Sequence, residues 1–213
     1  MNDLSVVQPA TMQCGNRCFY PTNDNVESNR LGIDSDVIRA IKAKPIFERL
    51  VSMYHYKQSN PMFVSGDLIR LGKIVNVDAI TEDPLLFTPC CTLSYRIQHN
   101  RPIYYPIVFT CLLDFDITIH DNAGVDVMEL KQELCAIPQI AYCGNRYNDD
   151  GLWCIVPILS PQRYLDHTET LRRLFRKMGI MINIDDEIVH TRLANYDPQA
   201  YFNDDAKEFT LLH

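Results

Sequence analysis

The chain has 213 residues, of which 46% are hydrophobic and 22% are charged, and its formal net charge is −7. This composition excludes a mostly disordered or fibrous chain, allows one substantial core, and argues against a freestanding non-specific nucleic-acid binder, which would need to neutralise phosphates. No apolar run reaches the ~18–20 residues of a membrane helix and the first residues do not form a secretory signal, so we expect a cytoplasmic protein without membrane contact.

The first hundred residues have weaker secondary-structure patterns than the rest of the chain. Residues 1–30 are polar, rich in Asn and without periodicity, which indicates an arm. Residues 34–56 have apolar positions at helical spacing and predict a helix that is kinked or split at Pro45. Residues 57–90 mix short apolar runs with Gly and Pro and permit no firm assignment. Residues 92–97, "TLSYRI", alternate as a strand does.

The pattern is sharper from residue 104 onward. It predicts, in order, strand 104–117, helix 125–137, strand 138–144, strand 152–159, helix 164–179 and strand 180–185. This β-α-β-β-α-β order is the ferredoxin-like or RRM-like split βαβ. We therefore predict an α+β protein in which a palm formed by residues 101–213 carries an N-terminal arm and mixed α/β extension, residues 1–100, packed on it.

An acidic pair interrupts the first strand of the predicted palm. In "LDFD" (113–116), Asp114 and Asp116 are two residues apart, so they project from the same face of a strand, while Leu113 and Phe115 face the helices. Two carboxylates this close raise each other's pKa unless a cation compensates them. The spacing therefore indicates a charge partner on the face away from the helices.

The last predicted strand contributes a third acid. Ile180, Ile182 and Ile184 form its apolar face, so Asp185 points the other way, and we expect it to converge with Asp114 and Asp116. Carboxylate oxygens favour Mg²⁺ or Mn²⁺. Two such ions can hold a triphosphate and activate a hydroxyl, as in the palm of a nucleotidyl transferase.

The chain has eight cysteines, several of them inside apolar runs. Without an export signal we expect no disulfide framework. "CGNRC" (14–18) with the pair Cys90–Cys91 offers four thiolates for zinc, but this is not the spacing of a zinc knuckle. Free thiols are the favoured interpretation.

Four stretches of the chain follow a known family pattern: "TPCCTLSYRI" (88–97), "LDFD" (113–116), "RYNDDGLWCIVPI" (146–158) and "RLANYDPQAYFNDDA" (192–206). They resemble the primase–polymerase (archaeo-eukaryotic primase) superfamily, and within it the VirE N-terminal-type domains of mobile-element replication proteins. The last stretch is the most specific match. The resemblance covers about half of the chain well and the N-terminal half faintly.

The resemblance implies transfer of nucleotides from a (d)NTP to a 3′ hydroxyl on a DNA or RNA template, with Mg²⁺ or Mn²⁺ as cofactor and a helicase or other replication protein as partner. Asp114 and Asp116 correspond to the motif I ligands. Asp185 corresponds to the motif III ligand, with Asp186 in reserve if the strand is shifted by one residue.

Two arginines complete the site that the resemblance implies. Arg192 would lie near the nucleotide phosphates or pair with the acids, and the alternative is a structural bridge to Asp197. Arg146 would bind phosphate, and the alternative is a solvated turn residue.

The second motif departs from the family pattern, with Asn148 and Asp149 in its loop and Trp153 where Lys or His is expected. Two rival functions therefore stay open. One is a catalytically inactive palm that acts as an interaction module, and the other is a metal-dependent phosphodiesterase.

Overall fold

The protein is described by a computed structural model that covers residues 35–55, 66–76, 85–98, 101–147 and 150–210. It is a mixed α+β protein with antiparallel sheets and a few helices. The helices are α1 (Ser35–Lys42), α2 (Leu71–Ile74), α3 (Val127–Cys135) and α4 (Tyr164–Lys177). Asp126 caps α3, because its carboxylate accepts hydrogen bonds from the backbone amides of Met128 and Glu129.

The N-terminal part forms a four-stranded antiparallel sheet from β1 (Leu50–His55), β2 (Gly66–Arg70), β3 (Leu85–Thr88) and the late strand β9 (Arg192–Leu193). The order of the strands in this sheet is β2-β1-β3-β9. A separate hairpin joins β4 (Cys91–Gln98) to β5 (Arg101–Phe109). The pairing of β9 with β3 carries the chain after residue 190 back to the N-terminal sheet.

The second sheet is also antiparallel and consists of β6 (Leu112–Thr118), β7 (Tyr142–Asn145), β8 (Gly151–Pro157) and β10 (Tyr201–Phe202). The order of its strands is β10-β7-β8-β6. Asn183 adds one antiparallel bridge to Asp116 at the free edge of β6. The sheet therefore continues, by a single residue pair, into the segment that follows α4.

Two hydrophobic cores lie on opposite faces of this second sheet. On one face, Leu113 and Phe115 of β6 pack with α3, α4 and the isoleucines at 180, 182 and 184. On the other face, Trp153 and Ile155 of β8 pack with N-terminal residues that include Phe87. The N-terminal elements therefore cover the sheet face to which Asp114 and Asp116 belong.

The helix predicted over residues 34–56 is wrong beyond its first turns. Helix α1 ends at Lys42, just before Pro45, and Ile46–Glu48 form a short 3₁₀ helix. Residues 50–55 are strand β1, because pairing with β2 and β3 satisfies their backbone groups on both sides. The apolar spacing fitted a helix, but the tertiary context imposed a strand.

The strand predicted over residues 104–117 is two strands, β5 and β6. They separate at Thr110 and Cys111, and Cys111 adopts the left-handed conformation with φ of 56°. That conformation turns the chain out of the β4–β5 hairpin and into the second sheet. The predicted domain boundary at residue 100 falls between β4 and β5.

Two other predicted strands are shorter in the structure. Residues 138–144 contribute β7 only from Tyr142, and residues 180–185 contribute the single bridge at Asn183. The hairpin of β7 with β8 and the helices α3 and α4 lie where the pattern predicts them.

Several sequence predictions lie outside the described residues: the arm at residues 1–30, the candidate zinc ligands Cys14 and Cys18, most of residues 57–84, and the loop residues Asn148 and Asp149. Among the helices that the structure does describe, none has the length and apolar character to cross a bilayer.

The shared core predicts that the N-terminal sheet and the second sheet unfold together. Phe87 is fully buried and packs against Trp153 with 6.2 Å between ring centroids. Replacing Phe87 with Ala should lower the free energy of unfolding by about 3–5 kcal/mol. Urea titration can follow this through far-UV circular dichroism and the fluorescence of Trp153, the single tryptophan.

The matched control is Ile107→Ala, because Ile107 is 58% exposed, and its effect should stay within about 0.5 kcal/mol. A Phe87→Ala variant in which the fluorescence transition of Trp153 is unchanged would show that the two sheets are independent.

Candidate functional site

The acid pair of β6 lies on the face of the second sheet that the N-terminal elements cover. Asp114 and Asp116 point to the side opposite Leu113 and Phe115, as the two-residue strand period predicts. Asp114 is almost completely buried, at 1% exposure, while the Asp116 side chain is 22% exposed. Two negative charges at this depth need compensation by the protein or by bound cations.

Arg192 provides that compensation. Its Nε and Nη2 atoms both lie 2.8 Å from Asp114 Oδ2, and its Nη1 donates to Asp116 Oδ1 at 2.8 Å. The guanidinium carbon lies 4.6 Å from the centre of the Trp153 ring, so the cation also stacks on an aromatic face. Trp153 of β8 therefore provides the aromatic ring over which the Arg192 guanidinium stacks.

Strand β9 determines where Arg192 lies. Arg192 pairs with Phe87 of β3, so the backbone of the N-terminal sheet fixes the arginine over the acids of the second sheet. Burial would lower the pKa of Arg192, but the charges of Asp116 and Asp114 outweigh it and raise that pKa. The arginine is thus permanently charged, and it connects β3, with which its own strand pairs, to the acids of β6 and to Trp153 of β8.

His190 adds a second cation to Asp114. Its Nδ1 lies 2.8 Å from the carbonyl oxygen of Glu187, which can only accept, so Nδ1 carries a proton. Its Nε2 lies 2.7 Å from Asp114 Oδ1, which also accepts because it is ionised. Both nitrogens therefore donate, and His190 is an imidazolium ion. Burial lowers its pKa, but the charge of Asp114 outweighs burial and raises it.

Asp114 is correspondingly a strong acid. Burial alone would raise the pKa of this carboxyl, but the positive charges of His190 and Arg192 hold it well below its usual range. Oδ1 faces His190 and the Cys90 thiol, whose sulfur is 3.4 Å away, and Oδ2 faces Arg192. All of the acceptor capacity of this buried carboxylate is used within the chain.

Cys90, Asp114 and His190 form a group that could hold a metal ion, because their ligand atoms all lie within 4.8 Å of one another. A cation there would have to displace the protons of Cys90 and His190. Burial, and then the charge of Asp114, raise the pKa of the Cys90 thiol well above its usual value. Sulfur and nitrogen donors suit zinc or other transition metals rather than magnesium.

The arrangement does not fit a pair of magnesium ions. Magnesium requires near-octahedral oxygen ligation, whereas the oxygens of Asp114 and Asp116 already accept from Arg192 and His190. In the part of the chain that the structure describes, no group of three carboxylates surrounds a common point.

Asp185 does not join the acid pair, contrary to the expected convergence. Its Oδ1 accepts from the backbone amide of Glu187 at 2.9 Å, and its side chain is exposed. It is close enough to help raise the pKa of His190. The reserve candidate, Asp186, pairs with Arg172 at 2.7 Å. The facing of the isoleucines was predicted correctly, but the segment leaves the sheet after the bridge at Asn183.

Arg146 lies at the edge of the site. Its Nη1 pairs with Asp150 across the turn at 2.7 Å, and its Nε is 3.4 Å from Asp116 Oδ1. It therefore contributes a third positive charge near the pair.

Asp197 has other partners than Arg192. It pairs with Lys131 at 3.0 Å and accepts from the backbone amide of Asn145 at 2.8 Å. Of the roles considered for Arg192, the structure has the one in which it pairs with the acids.

Sequence reasoning missed His190 and Cys90. The sequence contains one usable signal for His190. His190 and Arg192 are two residues apart where the chain enters β9, the same spacing as Asp114 and Asp116 on β6, so two basic side chains can face two acidic ones. Nothing local identifies Cys90, since its approach to Asp114 depends on how β3 packs on the second sheet.

Comparisons with known proteins add nothing to this geometry: no family model, no curated protein and no solved structure matches the chain.

Removing the positive charge of Arg192 should destabilise the folded protein. Arg192→Gln leaves buried carboxylates without their main partner and should lower the free energy of unfolding by about 3–5 kcal/mol. Arg163→Gln removes an ion pair to Asp166 in which both side chains are more than 40% exposed, and should cost no more than about 1 kcal/mol. Equal effects of the two substitutions in urea titrations would contradict a structural role for Arg192.

The imidazolium gives stability a definite pH dependence. Because the folded-state pKa of His190 is raised above 6.5, its contribution is fully present below that pH and is lost as pH rises through the folded pKa. The parent protein should therefore lose more stability than His190→Gln between about pH 6 and pH 9. Parallel stability–pH curves for the two proteins would show that His190 is neutral in the folded state.

Proposed function

We propose that the chain is a primase–polymerase-like palm module of a replication or mobile-element system that no longer transfers nucleotides. The single observation that carries this proposal is the position of Arg192 between Asp114 and Asp116, at 2.8 Å from each. In an active palm of this type the acids hold metal ions, and here a fixed guanidinium takes that position.

The connectivity supports the palm part of the proposal. The order Asn183–β6–β8–β7 and the packing of α3 and α4 on one face support a ferredoxin-like, RRM-like sheet as the basis of the proposed palm. Strand β10 and the N-terminal sheet are additions to that arrangement. Such sheets host many functions, so the fold alone assigns none.

Charge compensation supports the loss of transfer activity. Two carboxylates face one arginine, one imidazolium and, at 3.4 Å, a second arginine. A divalent cation would meet at least as much positive as negative charge, in a site with low exposure. Triphosphate binding through Mg²⁺ or Mn²⁺ is therefore disfavoured.

Helix α4 packs on the sheet face away from the acid pair, and its outer side is the surface that we propose for a partner. Helix α4 exposes Arg173, Arg176 and Lys177 near its C-terminus. We propose nucleic acid as the partner there, since these residues suit phosphate contacts, with a helicase or other replication protein as the functional context.

Nucleotide transfer is the second candidate, and one observation favours it. Asp114 belongs to a group that could hold a metal ion, so a cation that expelled the protons of Cys90 and His190 would reach one of the motif I acids. This function also requires that Arg192 leave both carboxylates. Phosphodiester hydrolysis would need the same rearrangement.

Manganese titration separates these functions. The parent protein should show no Mn²⁺-dependent binding of labelled nucleotide, no extension of a primer on a template and no cleavage of the primer or template. Arg192→Gln, confirmed as folded by circular dichroism, should gain Mn²⁺ binding because its carboxylates lose their cation, whereas Arg163→Gln should not. Metal-dependent nucleotide binding by the parent that disappears in both Asp114→Asn and Asp116→Asn would overturn the proposal in favour of transfer.

A further inference from the structure

Three thiols meet on the helix-covered face of the second sheet, away from the acid pair. Cys135 is the last residue of α3, Cys143 lies in β7 and Cys154 lies in β8. All three are free, and all three pack in or against the same hydrophobic core. The proposed function uses none of them.

Cys143 and Cys154 face each other directly across the antiparallel pair. Residues opposed in this way have Cα atoms about 4.5–5.5 Å apart, which lies within the range of about 4.4–6.8 Å that a disulfide requires. Both side chains are fully buried in the same core, so both point to the same face. A bond between the two sulfurs therefore needs little movement of the backbone.

Cys135 connects this buried pair with solvent. Its side chain is partly exposed, whereas those of Cys143 and Cys154 are fully buried. The thiol of Cys143 is hydrogen-bonded with the thiols of both Cys135 and Cys154, so it can exchange with either. An oxidant that can reach only the surface can thus act on Cys154 through the other two thiols.

The surroundings make Cys143 the best nucleophile of the three. The hydrogen bond from Cys154 lowers the pKa of Cys143 and outweighs burial, which raises it, and the charge of Lys131 lowers it further. Burial raises the pKa of Cys154 well above its usual value and that of Cys135 to about 11. The thiolate is the attacking species in disulfide exchange.

We infer that Cys135, Cys143 and Cys154 form a thiol relay that carries oxidation from the surface to a buried cross-strand disulfide. The co-reactant is a small disulfide such as oxidised glutathione. Access decides the first step: Cys135 is the partly exposed thiol of the three, and its small ionised fraction attacks the glutathione disulfide, forms a mixed disulfide and releases one reduced glutathione. Cys143 then attacks the Cys135 sulfur, forms the Cys135–Cys143 disulfide and releases the second reduced glutathione. Finally, Cys154 attacks the Cys143 sulfur, forms the Cys143–Cys154 disulfide and releases Cys135 as a thiol.

The net reaction consumes two thiols and one external disulfide and yields one protein disulfide and two reduced glutathione molecules. Each step forms one S–S bond and breaks one, with a proton moving from the attacking thiol to the leaving thiolate. The product joins β7 to β8 beside Trp153, on which Arg192 rests.

The test is incubation of the reduced, folded protein with oxidised glutathione, quenching by alkylation and peptide mapping by mass spectrometry. The expected product is the Cys143–Cys154 link. Cys135→Ser should slow its formation on the order of tenfold or more, because the remaining thiols are buried. Cys154→Ser should stop at the Cys135–Cys143 link.

Cys111→Ser is the matched control, since Cys111 is a buried free thiol outside the trio, and it should form the link at the parental rate. Stable capping of Cys135 by glutathione in the parent, without a Cys143–Cys154 link, would overturn the inference. So would formation of the link in Cys135→Ser at the parental rate. Peptide mapping of the parent protein alone decides whether the Cys143–Cys154 link forms or Cys135 stays capped by glutathione, even if a variant fails to fold.

Discussion

Two carboxylates on one face of a buried strand cannot both stay ionised without positive charge beside them, and the structure is arranged around that requirement. Asp114 is 1% exposed and accepts from Arg192, His190 and Cys90. Because Arg192 belongs to β9, which pairs with β3, the ion cluster joins the N-terminal sheet, the second sheet and the segment after residue 185. Breaking such a buried pair leaves an uncompensated charge, so the cluster also fixes how these parts pack.

The kind of cation that neutralises the pair decides what the site can do. A metal ion exchanges, keeps open coordination positions and brings a nucleotide with it. A guanidinium stacked on Trp153 and held by a strand pairing does none of these things. The same acids that suit an active palm therefore suit a rigid module equally well, and their number and spacing alone cannot distinguish the two. The proposed loss of transfer activity follows from the partners of the acids.

Local patterns predicted what depends on local geometry. The two-residue strand period gave the common facing of Asp114 and Asp116, and apolar spacing gave α3, α4 and the inward isoleucines. Patterns failed where distant pairing decided the outcome. Residues 50–55 have helix-compatible spacing but form β1 between two partners. Asp185 faces away from the core as predicted but leaves the sheet after one bridge. His190 and Cys90 reach Asp114 from 76 and 24 residues away in sequence. The two-residue spacing of His190 and Arg192 is a local hint of the first contact, whereas no local rule encodes the approach of Cys90.

Crystals grown with Mn²⁺ and a nucleotide, measured at the manganese absorption edge, test the central claim most directly. The account predicts that anomalous density is absent from the space between Asp114 and Asp116 and that the Arg192 guanidinium remains in contact with both carboxylates. A manganese peak bridging the two carboxylates, with Arg192 displaced from Trp153, would contradict it.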